Sequence, residues 1–198
     1  SLKIKDHFKW INRFYNSFDL NKALEISEKF NLDTSKRFKA LSKGYQSIFK
    51  LTVALSLNVP YVIFDEPVLG LDANHRELFY NLLLKEYENN ERTIIIATHL
   101  IEEIANLIEE VVFIDQGKIL LQESVENLLE TGYSISGLSS EVDAYCSDKT
   151  VIGYDELGAL KIAYLFGPKT PLPPNSNLRF STMNLQKLFV KITEKGGN

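Results

Sequence analysis

Between Asp6 and Lys39 the apolar residues recur at helical spacing. Phe8, Ile11, Phe14 and Tyr15 fall on one face of a first helix, and Leu20, Leu24, Ser27 and Phe30, with Ala23 beside them, on one face of a second. Asp19 and Asp33 stand where N-caps or loop residues belong. A third helix is expected from Tyr45 to about Leu57, apolar at Ile48, Leu51, Ala54 and Leu55, and Pro60 stops it because the residue before a proline leaves the helical region. Then the period changes. Tyr61-Val62-Ile63-Phe64 is an unbroken apolar run of strand length, the kind found in a parallel sheet covered on both faces. A helix from Asp72 through Tyr87, a second strand over Thr93–Ala97, a helix over Ile101–Glu109 and a third strand over Val111–Ile114 follow. This alternation predicts a parallel α/β sheet. Gln116-Gly117 reads as a hairpin turn closing it, and Ser124 as the cap of a short helix, Val125 to Glu130.

After Thr131 the pattern shortens. Tyr133–Ser136, Thr150–Gly153 and Leu160–Phe166 predict short strands, Pro168–Pro174 holds four of the six prolines, and Ser181–Thr193 predicts a terminal helix. That is a small α+β appendage without a chemical motif. Three segments result: 1–58, 59–130 and 131–198.

Composition narrows the function more than the fold. Of 198 residues, 44% are apolar and 24% charged, enough to bury a core. The net charge of −4 argues against a nucleic-acid-coating protein. The single cysteine, Cys146, excludes an internal disulfide and a cysteine-rich metal site. No apolar run approaches the roughly 20 residues that cross a bilayer, so direct membrane insertion is not expected. A soluble protein of a reducing compartment is expected.

The chemistry gathers at predicted strand ends. Asp65-Glu66 follows the first apolar run, at the edge where open α/β sheets bind ligands. An aspartate there can hold Mg²⁺, which prefers hard oxygen ligands and keeps several waters. The glutamate beside it can polarise a water for attack on a phosphate. The plainer reading is a strand ending at solvent. His99 ends the second strand, and parallel pairing would bring it to the same edge, able to donate to a phosphate oxygen or to fix a water. Its plain reading is a loop histidine. Leu41-Ser42-Lys43-Gly44-Tyr45 precedes a helix, whose N-terminus suits an anion, although Ser42 alone is an ordinary N-cap. Asp72, after Gly70-Leu71, is a cap as well. Neither a zinc spacing nor a G-x-S-x-G elbow is present.

In order, L-S-x-G at Leu41–Gly44, D-E-P at Asp65–Pro67, G-L-D at Gly70–Asp72 and T-H at Thr98-His99 resemble the ATPase domain of ABC transporters over roughly residues 1–130. The stretch from Asp65 to Arg76 looks most like bacterial exporters with separate membrane subunits. The resemblance implies part of a P-loop NTPase-type parallel sheet with an α-helical subdomain, an ATP cofactor, Mg²⁺ on Asp65, Glu66 as catalytic base and His99 on the γ-phosphate. It implies that Leu41, Ser42, Lys43, Gly44 and Tyr45, with Asp72, face the ATP of a dimer partner. Membrane-spanning subunits would dock near residues 6–39, and the protein would sit on the cytoplasmic, inner face of the membrane.

Departures accompany the likeness. Lys43 stands where the signature has its first glycine and Tyr45 where it has glutamine; Ser47-Ile48 replaces a Gln-Arg pair, and Leu69 and Ala73 replace a serine and a proline. More importantly, no G-x-x-x-x-G-K-S/T occurs, and neither a Q-loop glutamine nor an adenine-stacking aromatic is matched before Leu41. The chain is therefore expected to be a piece of a longer subunit, binding ATP very weakly by itself. Alternatives are a soluble ABC ATPase, a degenerate ATPase serving as a regulatory or partner-binding module, and another P-loop class, which would leave Leu41–Gly44 unexplained.

Overall fold

The computed structural model describes residues 2–90 and 92–196. The chain divides into two compact units, Ser1–His99 and Leu100–Asn198.

In the first unit three helices precede a parallel strand pair. They are α1 (Ile4–Phe14), α2 (Leu20–Lys29) and α3 (Lys43–Leu55). Asp19 caps α2 by accepting from the Lys22 amide, and Ser42 caps α3 by accepting from the Tyr45 amide, as their residue types predict. The buried stripe of α1 is Ile4 and Phe8 with Ile11 half-covered, whereas Phe14 and Tyr15 are exposed, which corrects the single apolar face expected for them. Phe8 stacks on Phe49 at 5.4 Å between centroids and meets Phe18 at 6.1 Å, so aromatic packing holds α1 against α3.

Strand β1 (Tyr61–Asp65) leads through a turn into α4 (Ala73–Asn89), and β2 (Thr93–Ala97) returns parallel to β1 in the register Asp65 to Ala97. Val62 and Phe64 are buried, Phe64 packing edge-to-face on Phe79 at 5.4 Å. Tyr61 and Ile63 are 69% and 70% exposed. The expectation of a strand covered on both faces therefore fails for this chain: one face has α4 behind it, the other meets solvent. At the start of β2 the buried Arg92 guanidinium donates to the Leu57 carbonyl at 3.0 Å and pairs with Glu86 of α4, tying the end of α3 to both elements.

The second unit opens with α5, which spans only Ile101–Ile104. The predicted helix to Glu109 stops early, because Leu107 donates three residues back to Ile104 in a tightened turn. Strands β3 (Glu110–Asp115) and β4 (Lys118–Ser124) form an antiparallel hairpin through Gln116 and Gly117, both at positive φ as a primed turn requires. Among the described residues β3 pairs with β4 alone, so the hairpin forms its own sheet instead of closing the parallel one. An apolar run predicts a strand but not its neighbour.

Ser124 caps α6 (Val125–Thr131) by accepting from the Asn127 amide. Beyond it β5 (Gly132–Leu138), β6 (Val151–Leu157), β7 (Leu160–Phe166) and β8 (Arg179–Thr182) form an antiparallel sheet in the order β6-β7-β5-β8. Helices α7 (Ser139–Cys146) and α8 (Leu185–Gly196) pack on it. Tyr133, Ile135, Val142 and Leu165 make one core, and Leu185, Leu188, Phe113 and Leu128 another. The α+β appendage is present, with α7 and β8 added to the expected elements. The 3.6 spacing of Val142, Tyr145 and Cys146 was the available signal for α7.

Candidate functional site

Strand β1 ends at Asp65, and the chain then turns at Glu66, whose φ of 44° lies in the left-handed region that non-glycine residues rarely adopt. Such backbone costs of order 1–3 kcal/mol and persists only where its surroundings determine it. Here the Glu66 amide donates to the Ala97 carbonyl at 2.8 Å, so the last rung of the parallel pair holds the kink.

The Glu66 carboxylate then reaches the residues that follow β2. Its Oε1 accepts from the His99 amide at 3.1 Å and lies 2.7 Å from His99 Nδ1, and its Oε2 accepts from Thr98 Oγ1 at 2.9 Å. Burial pushes the carboxyl up, but the His99 and Thr98 bonds outweigh it and hold Glu66 below the ordinary carboxylate range. Glu66 is therefore ionised and accepts only, so the facing His99 nitrogen carries the proton. Of about four lone-pair positions on a carboxylate, these bonds occupy three, which leaves one on Oε2 for a water. Asp65 lies next to this group at the exposed strand end. Parallel pairing thus joins Glu66 and His99, as their strand positions predict, with Asp65 adjacent. Thr98 was missed as a participant because its hydroxyl gains meaning only from a carboxylate 32 residues earlier.

A second constellation lies at the start of α3. Ser42 Oγ is 3.3 Å from the Tyr45 amide, Gln46 Nε2 donates to the Leu41 carbonyl at 3.0 Å, and Lys43 is exposed. Gly44 is fixed by proximity: a Cβ there would lie 3.3 Å from the carbonyl oxygen of Gly70. Gly70, at φ +81°, shapes the turn between β1 and α4, which Val68 and Leu71 anchor in the core. Asp72 caps α4 through the His75 amide at 3.0 Å, and its other oxygen lies 2.7 Å from His75 Nδ1. The backbone bond from His75 is the chief reason that Asp72 is held below the usual carboxylate range. His75, in turn, meets Tyr45 edge-on at 5.8 Å. The signature-like residues and Asp72 therefore belong to one packed group, joined by a histidine that the sequence pattern did not single out.

For Mg²⁺ the protein offers one exposed carboxylate, Asp65, at the open edge. That suits an ion which takes one or two carboxylates and fills its shell with water and phosphate oxygens. Among the described residues no group of three or more His, Cys, Asp or Glu forms a closed metal site.

Residues 6–105, half of the chain, match the AAA-domain family model whose description names the AbiEii toxin of a Type IV TA system. The chain belongs to this AAA-domain family. Its relatives include the ABC transporter ATP-binding protein YtrB of Bacillus subtilis, 22% identical over 85% of this chain and 58% of that one. Two solved structures share the fold: an ATP-binding subunit of an ABC transporter (TM-score 0.60, 18% identity, 66% of this chain and 56% of that one) and a candidate cobalt transport ATP-binding protein (TM-score 0.56, 18% identity, 84% and 60%). The AAA domain described here thus has the P-loop NTPase fold of ABC ATPases, as the motif order implies. The chain spans little more than half the length of YtrB and similar curated relatives. No helix among the described residues is long and apolar enough to cross a membrane.

Proposed function

We propose that this AAA domain is the ATP-hydrolysing part of an ABC transporter subunit, of exporter type, and that the phosphate cradle comes from sequence beyond these 198 residues. The observation that carries the reading is the ionised Glu66, held by Thr98 and His99 with an acceptor position left over, beside Asp65. Glu66 orients the attacking water and takes its proton. The water oxygen bonds to the γ-phosphorus as the bond to the β–γ bridging oxygen breaks, and ADP leaves with that electron pair. His99 turns toward the γ-phosphate. Mg²⁺ held by Asp65 supplies neutralisation of phosphate charge when bound.

Leu41, Ser42, Lys43, Gly44 and Tyr45, with Asp72, face the ATP of a second ATPase copy, so nucleotide joins the two and hydrolysis parts them. The exposed aromatics Trp10, Phe14 and Tyr15 suit docking of a membrane-spanning subunit, which puts the protein on the cytoplasmic face of the membrane without insertion. In this reading 1–58 is the helical subdomain, 59–130 the rest of the ATPase core and 131–198 an accessory domain. The absence of a phosphate loop, the share of the relatives that is covered and the bare face of β1 support the view that the site is completed elsewhere.

The test is MgATPase activity of a version extended to include a phosphate-binding loop. Glu66→Gln should lower kcat by at least about a hundredfold, the lower range for a general base. Activity that survives the change overturns the assignment. The 198-residue chain by itself should show no micromolar MgATP binding by calorimetry.

A further inference from the structure

We propose that His75 is a positioning residue that ties the Asp72 turn to the start of α3, so that Ser42–Tyr45 and Asp72 meet a partner's nucleotide as one rigid element. The last clause rests on the reading that both segments face the partner's ATP; the tie itself rests on geometry. Capping α4 needs only the bond from the His75 amide to Asp72 Oδ1, at 3.0 Å. The imidazole does more than this. Its Nδ1 lies 2.7 Å from Asp72 Oδ2, and because Asp72 is ionised that nitrogen carries the proton. Both carboxylate oxygens of Asp72 are thereby oriented by one residue.

The same ring reaches across to α3 and to Phe30, the residue that ends α2. Its centroid is 5.8 Å from Tyr45 at 70° and 5.9 Å from Phe30 at 34°, and the His75 side chain is 20% exposed. The Tyr45 pair is edge-to-face and the Phe30 pair tilted, and aromatic pairs at such spacing add stability beyond their buried area. Two further contacts fix the neighbourhood: Arg76 Nε donates to the Leu71 carbonyl at 2.9 Å, and Gly44 closes on the Gly70 carbonyl too tightly for any larger residue to fit without displacement. Tyr45 stands where the signature it resembles has glutamine, and the aromatic ring it brings is one of two that touch His75. The substitution and the histidine act as a pair.

Hydrogen exchange on the 198-residue chain tests the tie. Tyr45→Leu should speed exchange of the Leu71–Arg76 amides about fivefold, the factor that one aromatic pair corresponds to; Tyr45→Phe, which keeps the ring, should match wild type. In a His75→Ala background Tyr45→Leu should add nothing. His75→Phe should leave the link to Tyr45 intact while the Asp72 carboxyl, followed by NMR titration, rises toward its ordinary value. His75→Asn, which keeps a donor near Nδ1, should leave that titration low but break the exchange link. Unchanged Leu71–Arg76 exchange in Tyr45→Leu, or an equal response with and without His75, overturns the tie. In the extended protein Tyr45→Leu and His75→Asn should each lower kcat about fivefold with little change in KM, the mark of an interaction made in the transition state. Exchange coupling kept with kcat unchanged, where Glu66→Gln is inactive, overturns the nucleotide role. An extended protein with no ATPase activity at all overturns the reading beneath it.

Discussion

Glu66 and Asp155 are each held by three hydrogen bonds and each kept below the usual carboxylate range, yet they keep different company. Glu66 accepts from a hydroxyl, a backbone amide and a ring nitrogen at an open strand edge, on left-handed backbone. Asp155, in β6, accepts from Lys191 at 2.6 Å, from Tyr164 at 2.7 Å and from Lys187 at 2.9 Å, with Lys191 chief among the causes of its low pKa. Lys191 has 5% of its side chain exposed and also pairs with Glu194 at 2.7 Å. Two ammonium groups and a phenol hold Asp155, which ties β6 to β7 and to α8. Glu66 is oriented by a hydroxyl, a backbone amide and an imidazole, with no ammonium group among its partners. A carboxylate proposed for chemistry and one that serves as a staple share a direction of pKa shift, and two lysine ammonium partners mark the staple.

The largest expected effect breaks that comparison at its active end. Glu66→Gln in the extended protein should cost the hundredfold in kcat given above while altering stability by less than ~1 kcal/mol, because an amide fits the same pocket; chemical denaturation followed by Trp10 fluorescence reports on this unit. Asp155→Asn should do the reverse. It leaves Lys191 nearly buried with Glu194 alone, and the second unit should lose about 2 kcal/mol, below the 3–5 typical of a fully buried pair because Asp155 is 40% exposed. Amide exchange in β6 and β7 would read this, with ATPase activity unchanged. A stability loss at Glu66 equal to that at Asp155 would erase the distinction.

Thr98→Val is a finer probe. Removing the hydroxyl donor to Oε2 should raise the Glu66 pKa toward its ordinary value and reduce kcat about fivefold, the effect of about 1 kcal/mol, a typical net hydrogen bond. Acid gives the smallest effect. Asp155 has a folded pKa below its unfolded value of about 3.9, so its contribution is complete above that value and fades as pH falls below it. Wild type should therefore lose stability of the second unit more steeply than Asp155→Asn between about pH 4 and pH 2, by exchange or circular dichroism.

Much of the candidate site's placement was legible because it lies at strand ends and helix caps. Asp65, Glu66 and His99 follow apolar runs, and Ser42, Asp72 and Ser124 are residues that cap helices; each is a local signal. Thr98, His75 and Asp155 were not legible as partners, since their roles arise from contacts with residues that only folding brings near. Sheet pairing escaped for the same reason: the run at β3 says strand, while its pairing with β4 alone among the described residues depends on which edges are within reach. The exposure of Tyr61 and Ile63 was hidden too, because an unbroken apolar run looks the same whether one face is covered or both.

That bare face has a practical side. Alternation along β1 gives Val62 and Phe64 to the core and Tyr61 and Ile63 to water, so the strand's two faces can be edited independently. Replacing Tyr61 and Ile63 by lysine and threonine should make the isolated chain easier to express and concentrate without loosening its packing. The same replacements in a protein whose sheet is completed on that side should be ruinous. The difference between the two outcomes would measure, in milligrams of soluble protein, whether that face has anything to meet.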